Sequence, residues 1–183
     1  MGTQRTPGIR PRPTLRRQLD AASRRCFPAA CTVLLLLMAA APLGLPGQAQ
    51  LQPAAALACV FFWSLFRPGS MLPSVVFLLG LLCDLLSLSP PGVSVLMLLV
   101  THGLSLRWRR VLTEPGSPVV WLAFIVVAAG ATLLQWLAMS LLILQALPGD
   151  AVLFQFALTV GLYPMLAALF TQAHRSLADP DAA

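Results

Sequence analysis

The chain has no lysine, a single tyrosine and six acidic residues in 183. Charged residues make up 10% of it, against about 25% in an ordinary soluble domain. With so little charge, and with 58% hydrophobic residues arriving in long runs, a soluble globular enzyme and a disordered chain are both excluded. The four cysteines show no CxxC spacing and none stands beside a histidine, which excludes a disulfide scaffold and leaves no zinc-type ligand set. Cys31, Cys59 and Cys83 lie inside apolar runs and read as small hydrophobic side chains. There is no glycine-rich phosphate loop, no HExxH pair and no Ser/His/Asp set at compatible depths. Membrane aspartyl hydrolysis needs two acids held together, and only Asp84 lies within an apolar run; Asp150 would have to move in from a turn. No catalytic residue, cofactor site or metal site is expected.

What is present is arginine and apolar sequence. All twelve basic residues are arginine, and Arg5, Arg10, Arg12, Arg16, Arg17, Arg24 and Arg25 fall in the first 25 residues. The others stand at the ends of apolar runs, a membrane-topology pattern that argues for lipid headgroups and against nucleic acid as the partner. The runs cover residues 28–46, 53–66, 73–89, 92–106, 118–145 and 151–172. A helix needs about 20 residues to cross a hydrocarbon core, so the second to fourth runs are short. They extend into flanking polar residues, thin the bilayer locally, or are partly re-entrant.

Threading six spans from a cytoplasmic N-terminus puts every arginine on one side and leaves the turns near 47–52, 89–91 and 148–150 outside without one. The predicted fold is all-α: a polytopic integral membrane helix bundle of about six transmembrane helices, both termini cytoplasmic. Residues 1–25 read as an Arg/Pro-rich tail, mostly disordered, residues 26–175 as the transmembrane domain, and 176–183 as a short C-terminal tail. Arg16-Arg17 before an apolar run also resembles a twin-arginine export signal, but five further runs follow.

Asp84 is the most informative single residue. A carboxylate near a helix centre costs about 2.5–3.5 kcal/mol to insert, so it must face protein, water or a partner, or else be protonated. Gly80, Asp84 and Ser87 share one helical face, and Gly80 removes bulk there so that another helix can come close. Two readings stay open: an internal hydrogen-bond anchor, with Gln155, Ser94 or Gln145 as partner, and a subunit or ligand contact. Arg67 lies about 16 Å of helix rise away from Asp84 and reads as an anchor to headgroups or to a partner's acid. His102 reads as a satisfied helix contact, and Gln135 in span five and Gln155 in span six as hydrogen-bonding glue between helices. Trp108 and Trp121 fall near predicted interfaces, Trp63 and Trp136 deeper, as packing. Pro164 is expected to kink the last span.

The stretch from Pro53 to Leu98 resembles the bacterial rod shape-determining protein MreD family. It carries an apolar helix ending Phe62-Trp63, a turn at Arg67-Pro68-Gly69, the core Gly80-Leu81-Leu82-Cys83-Asp84-Leu85, and a turn at Pro90-Pro91-Gly92. Tyr163-Pro164 also resembles the family's last span. Two features depart from the family. Ala54 follows Pro53 where many members carry an acid, and the arginine-rich tail lies outside the pattern. Trp63, Arg67, Pro68, Gly80, Asp84 and Gly92 are the candidate partner-binding or structural residues.

The resemblance implies a non-enzymatic inner-membrane subunit of the cell-elongation complex, acting in cell shape and side-wall peptidoglycan synthesis through helix-mediated binding. The implied partners are MreC first, then MreB, RodA and a class B penicillin-binding transpeptidase. On the residues, the face of Gly80 and Asp84 suits a partner's helix through close packing plus one strong hydrogen bond. The tail touches anionic lipid or a cytoplasmic partner such as MreB. Two rivals stand beside this. One is a small-molecule, vitamin-type substrate-binding subunit of a transporter, with Trp136 and Gln155 lining an outer pocket. It is disfavoured because no cluster of polar residues is visible in the sequence there. The other is a membrane peptidase with one acid unaccounted for.

Overall fold

A computed structural model describes residues 15–41, 48–87, 90–112, 118–145 and 149–178, with 15–24 and 173–178 followed as backbone only. Among the described residues there are six helices and no strand: α1 (Leu15–Ala40), α2 (Gln48–Phe66), α3 (Pro73–Ser87), α4 (Val93–Trp108), α5 (Pro118–Ile143) and α6 (Gly149–Ala178). Two boundaries correct the sequence reading. Residues 15–25, read as disordered tail, belong to α1; residues 1–14 lie outside the described residues. Residues 48–52, read as an outer turn, form the first turn and a half of α2 and lengthen that helix to 19 residues. The short second run thus gains length from its glutamine-rich flank. α3 and α4 stay short, at 15 and 16 residues.

Three helical stretches are long and apolar enough to cross a membrane: α2, α5, and Gly149–Gln172 of α6. They are used differently. From Pro53 on, α2 is apolar on every side except at Ser64 and packs against α1, α3, α4 and α6, so residues 52–65 are all buried. A helix with no polar face belongs at the centre of a bundle. The run Ala54-Ala55-Ala56-Leu57-Ala58 keeps that helix thin enough for its neighbours to close on it. α5 and the Gly149–Gln172 stretch of α6 are more apolar than α2 but keep large side chains outward, among them Leu122, Val126, Leu133, Leu141, Leu153 and Met165. A continuous apolar exterior of this kind suits hydrocarbon and not water.

Aromatic rings lock the centre. Trp63 is fully buried, edge-on to Phe27 of α1 at 6.1 Å and tilted on Phe170 of α6 at 5.1 Å. Phe61 and Phe124 stand around Tyr163, whose ring stacks on Phe124 at 4.0 Å. The family-like Phe-Trp end of α2 and the Tyr163-Pro164 pair therefore meet in one core, and α6 continues through Pro164.

Candidate functional site

Two polar features stand at the end of the bundle where α3 finishes and α4 begins, and three of the six candidate residues belong to the first of them. The first is a clamp between those two helices. Gly80 stands so close to α4 that a Cβ there would lie 2.6 Å from Val95 Cα. No side chain can be accommodated against backbone at that distance, so the close approach requires glycine. One turn further on, Asp84 is 3% exposed and accepts two backbone hydrogen bonds from the start of α4. Gly92 N donates to Oδ2 at 2.7 Å, and Ser94 N donates to Oδ1 at 2.9 Å.

The first N–H groups of any helix lack intrahelical partners. α4 begins at Gly92, whose own side chain offers no cap, so Asp84 supplies it from the neighbouring helix. The helix dipole favours an acid at this position. Val93 N finds Pro90 O at 3.4 Å, which completes a three-donor set at the turn. Gly92 holds φ +102°, a left-handed conformation that costs residues with a Cβ and not glycine.

Of the two readings of Asp84, the internal anchor is the one the geometry realises. Its partners are the backbones of Gly92 and Ser94. Gln155 was a candidate partner and instead donates from Nε2 to Gln135 Oε1 at 2.7 Å, so both residues join helices as expected, here each other's. The Gly80–Asp84 face is filled by α4 from within the chain. The expectation that it lies open to a partner's helix is therefore corrected, and Phe77, Leu78, Leu81 and Leu85 form the outward side of α3.

The remaining candidates sit at the other end of α3. Arg67 N donates to Trp63 O at 2.8 Å, and Ser70 N to Arg67 O at 3.0 Å. This closes a four-residue turn with Pro68 at its second position, where the fixed φ of proline is preorganised. Arg67 and Pro68 are half-buried. The structure thus brings Gly80, Asp84 and Gly92 together and places Trp63, Arg67 and Pro68 apart from them.

The second place is a cavity of about 570 Å³, lined from α1, α2, α3, α5 and α6. Gln48, Gln50 and Gln52 come from α2, Ser87 from α3, Thr132, Gln135 and Trp136 from α5, and Gln155 from α6. This overturns the expectation that no polar cluster exists at this end. Trp136, read as packing and, in the transporter alternative, as a pocket wall together with Gln155, lines the cavity and is half-buried. The three α2 glutamines were missed because they read as a turn. The signal that finds them is length: a span of 14 apolar residues is too short, so its polar flank belongs to the helix. Gln48 then reaches back to the end of α1, donating from Nε2 to Ala39 O at 3.3 Å and to Ala41 O.

A buried polar contact that sequence reasoning missed lies between α2 and α4. Ser64 Oγ and His102 Nδ1 are 2.7 Å apart, while His102 Nε2 is buried without a partner. His102 is therefore a helix contact satisfied on one nitrogen only. Among the described residues no group of three or more potential metal ligands occurs. Comparison of the chain with family models, with curated proteins and with solved structures returns no match.

Proposed function

We propose that the protein is a non-enzymatic inner-membrane subunit of the bacterial cell-elongation complex, of the MreD type, acting in regulation of cell shape and side-wall peptidoglycan synthesis. The observation that carries this reading is the clamp. Gly80, Asp84 and the Pro90-Pro91-Gly92 turn, which carry much of the resemblance, act as one mechanical unit that fixes α4 against α3. In this reading the six helices all sit in the membrane, both termini are cytoplasmic, and the arginine end faces anionic headgroups. The rigid bundle presents its lateral apolar faces to MreC, and through it to MreB, RodA and the transpeptidase. Outward side chains of α3, α5 and α6 supply those faces.

Controlled depletion in the native bacterium tests this. Rods should widen and round up while membrane transport stays intact. Cells that keep their shape and acquire a nutrient requirement would overturn the elongation reading. They would favour a second one, the small-molecule-binding subunit of a transporter, which rests on the glutamine-lined cavity.

A further inference from the structure

Five of the chain's nine glutamines line the one cavity described above. In a chain with so few polar residues this concentration is the main departure from an apolar interior. Some of these amides hold the fold: Gln48 ties α2 to α1, and Gln155 ties α6 to α5. Others do not. Gln52 is 4% exposed and its Nε2 has no hydrogen-bond partner, and Gln50 Oε1 is likewise buried and unpartnered. One is a donor and the other an acceptor, two positions apart on the same helix. Both atoms are closed off from the cavity as the side chains stand, so rotation of either amide into the adjoining space is needed before a ligand can supply the missing group and recover the cost of leaving it unpaired. The Gln135–Gln155 bond uses one hydrogen of an NH2 and one lone pair of a carbonyl, so both amides keep further capacity.

The charge of the lining selects among ligands. Among the described residues that line it, none is Asp, Glu, Lys, Arg or His. A charged ligand entering this space would lose hydration without gaining a counter-charge, whereas a neutral one with amide-like groups pairs with the glutamines. The indole of Trp136, with Leu86 and Met139 in the same wall, adds an apolar side against which a flat ring can lie. The volume falls within the roughly 300–1,000 Å³ of small-molecule sites.

We infer that this cavity binds an uncharged small molecule that combines hydrogen-bond donors and acceptors with a flat apolar part, held between the α2 glutamines and Gln135, Trp136 and Gln155. The inference deepens the transporter-subunit reading but rests on the cavity, and it is compatible with a role in elongation. Binding to the purified protein and the phenotype of depletion are separate readouts, so either can fail alone.

The test uses the full chain in detergent micelles and three probes of one shape: nicotinamide, which is neutral, nicotinate, an anion, and benzamidine, a cation, with uridine as a larger neutral probe. Binding is followed by saturation-transfer NMR as a function of probe concentration. Nicotinamide or uridine should saturate, with the two charged probes weaker by about tenfold or more. Gln52→Leu together with Gln135→Leu should weaken the neutral response by a similar factor. Ala151→Phe, placed on an exposed wall position to fill the space, should abolish it even if the double variant fails to fold. Equal responses to all three charge states overturn the proposal, as does the absence of saturation by either neutral probe. A neutral response that persists in Ala151→Phe also overturns it. Toluene bound in preference to nicotinamide assigns the space to lipid chains and overturns it as well.

Discussion

The clamp and the cavity adjoin on α3, where the cavity residues Leu86 and Ser87 lie two and three positions after Asp84. Both are polar features inside apolar sequence, and they differ in how their polar atoms are used. In the clamp, both oxygens of Asp84 accept backbone N–H groups and Gly80 admits the neighbouring backbone. In the cavity, donor and acceptor atoms of Gln52 and Gln50 stay unpaired. The difference separates polar residues that hold the fold from polar residues left available to something else. The comparison predicts that damage to the clamp appears in stability, while damage to the cavity appears in binding.

The largest effect should come from Gly80→Leu. A side chain driven into Val95 must separate α3 from α4, at a cost of about 3 kcal/mol or more. Thermal unfolding in detergent measures this, and an unchanged midpoint would break the account of the clamp. Asp84→Ala should follow, at about 2–3 kcal/mol, since it strands two N–H groups at the start of α4. Hydrogen exchange at Gly92 and Ser94 should accelerate selectively, and Asp84→Asn should sit between the two, because an amide keeps one acceptor.

Ser64→Ala leaves His102 without its remaining side-chain partner and should cost about 1–2 kcal/mol. Adding His102→Leu should restore most of that loss, because no polar group is then stranded; a double variant as unstable as the single would show that the pair is not the cause. The smallest effect on stability is expected of Gln135→Leu with Gln155→Leu. Interhelical side-chain hydrogen bonds are worth about 0.6–2 kcal/mol, and leucine packing offsets much of that. If this pair destabilises as much as Asp84→Ala, the cavity is a second clamp and the contrast collapses.

Much of the architecture was legible in the residues. Six apolar runs became six helices, because a chain so poor in charge has few other ways to satisfy its backbone. That Gln135 and Gln155 join helices by hydrogen bonds was readable from their place in apolar runs, but depth pointed Gln155 to Asp84 and not to Gln135. The acid at position 84 announced that it needed partners, since an intramembrane carboxylate cannot stand unpaired. Ser94 was among the candidate partners and is one, through its main-chain N–H; Gly92 was not legible, because backbone donors look alike in every sequence.

The cavity was hidden for a related reason. Its walls come from residues as far apart as Gln48 and Gln155, and each glutamine taken singly reads as a turn or as glue. The sequence by itself determined composition, helix number, the need for glycine at the left-handed turn before α4 and the segregation of arginine to the run ends. These follow from local sterics and from the cost of charge in hydrocarbon. Only the tertiary structure decided that the least apolar of the three membrane-length helices is central, that Asp84 caps a neighbour, and that five glutamines converge. Those outcomes depend on which faces meet, and helix pairing is a property of the assembled bundle that local pattern does not encode.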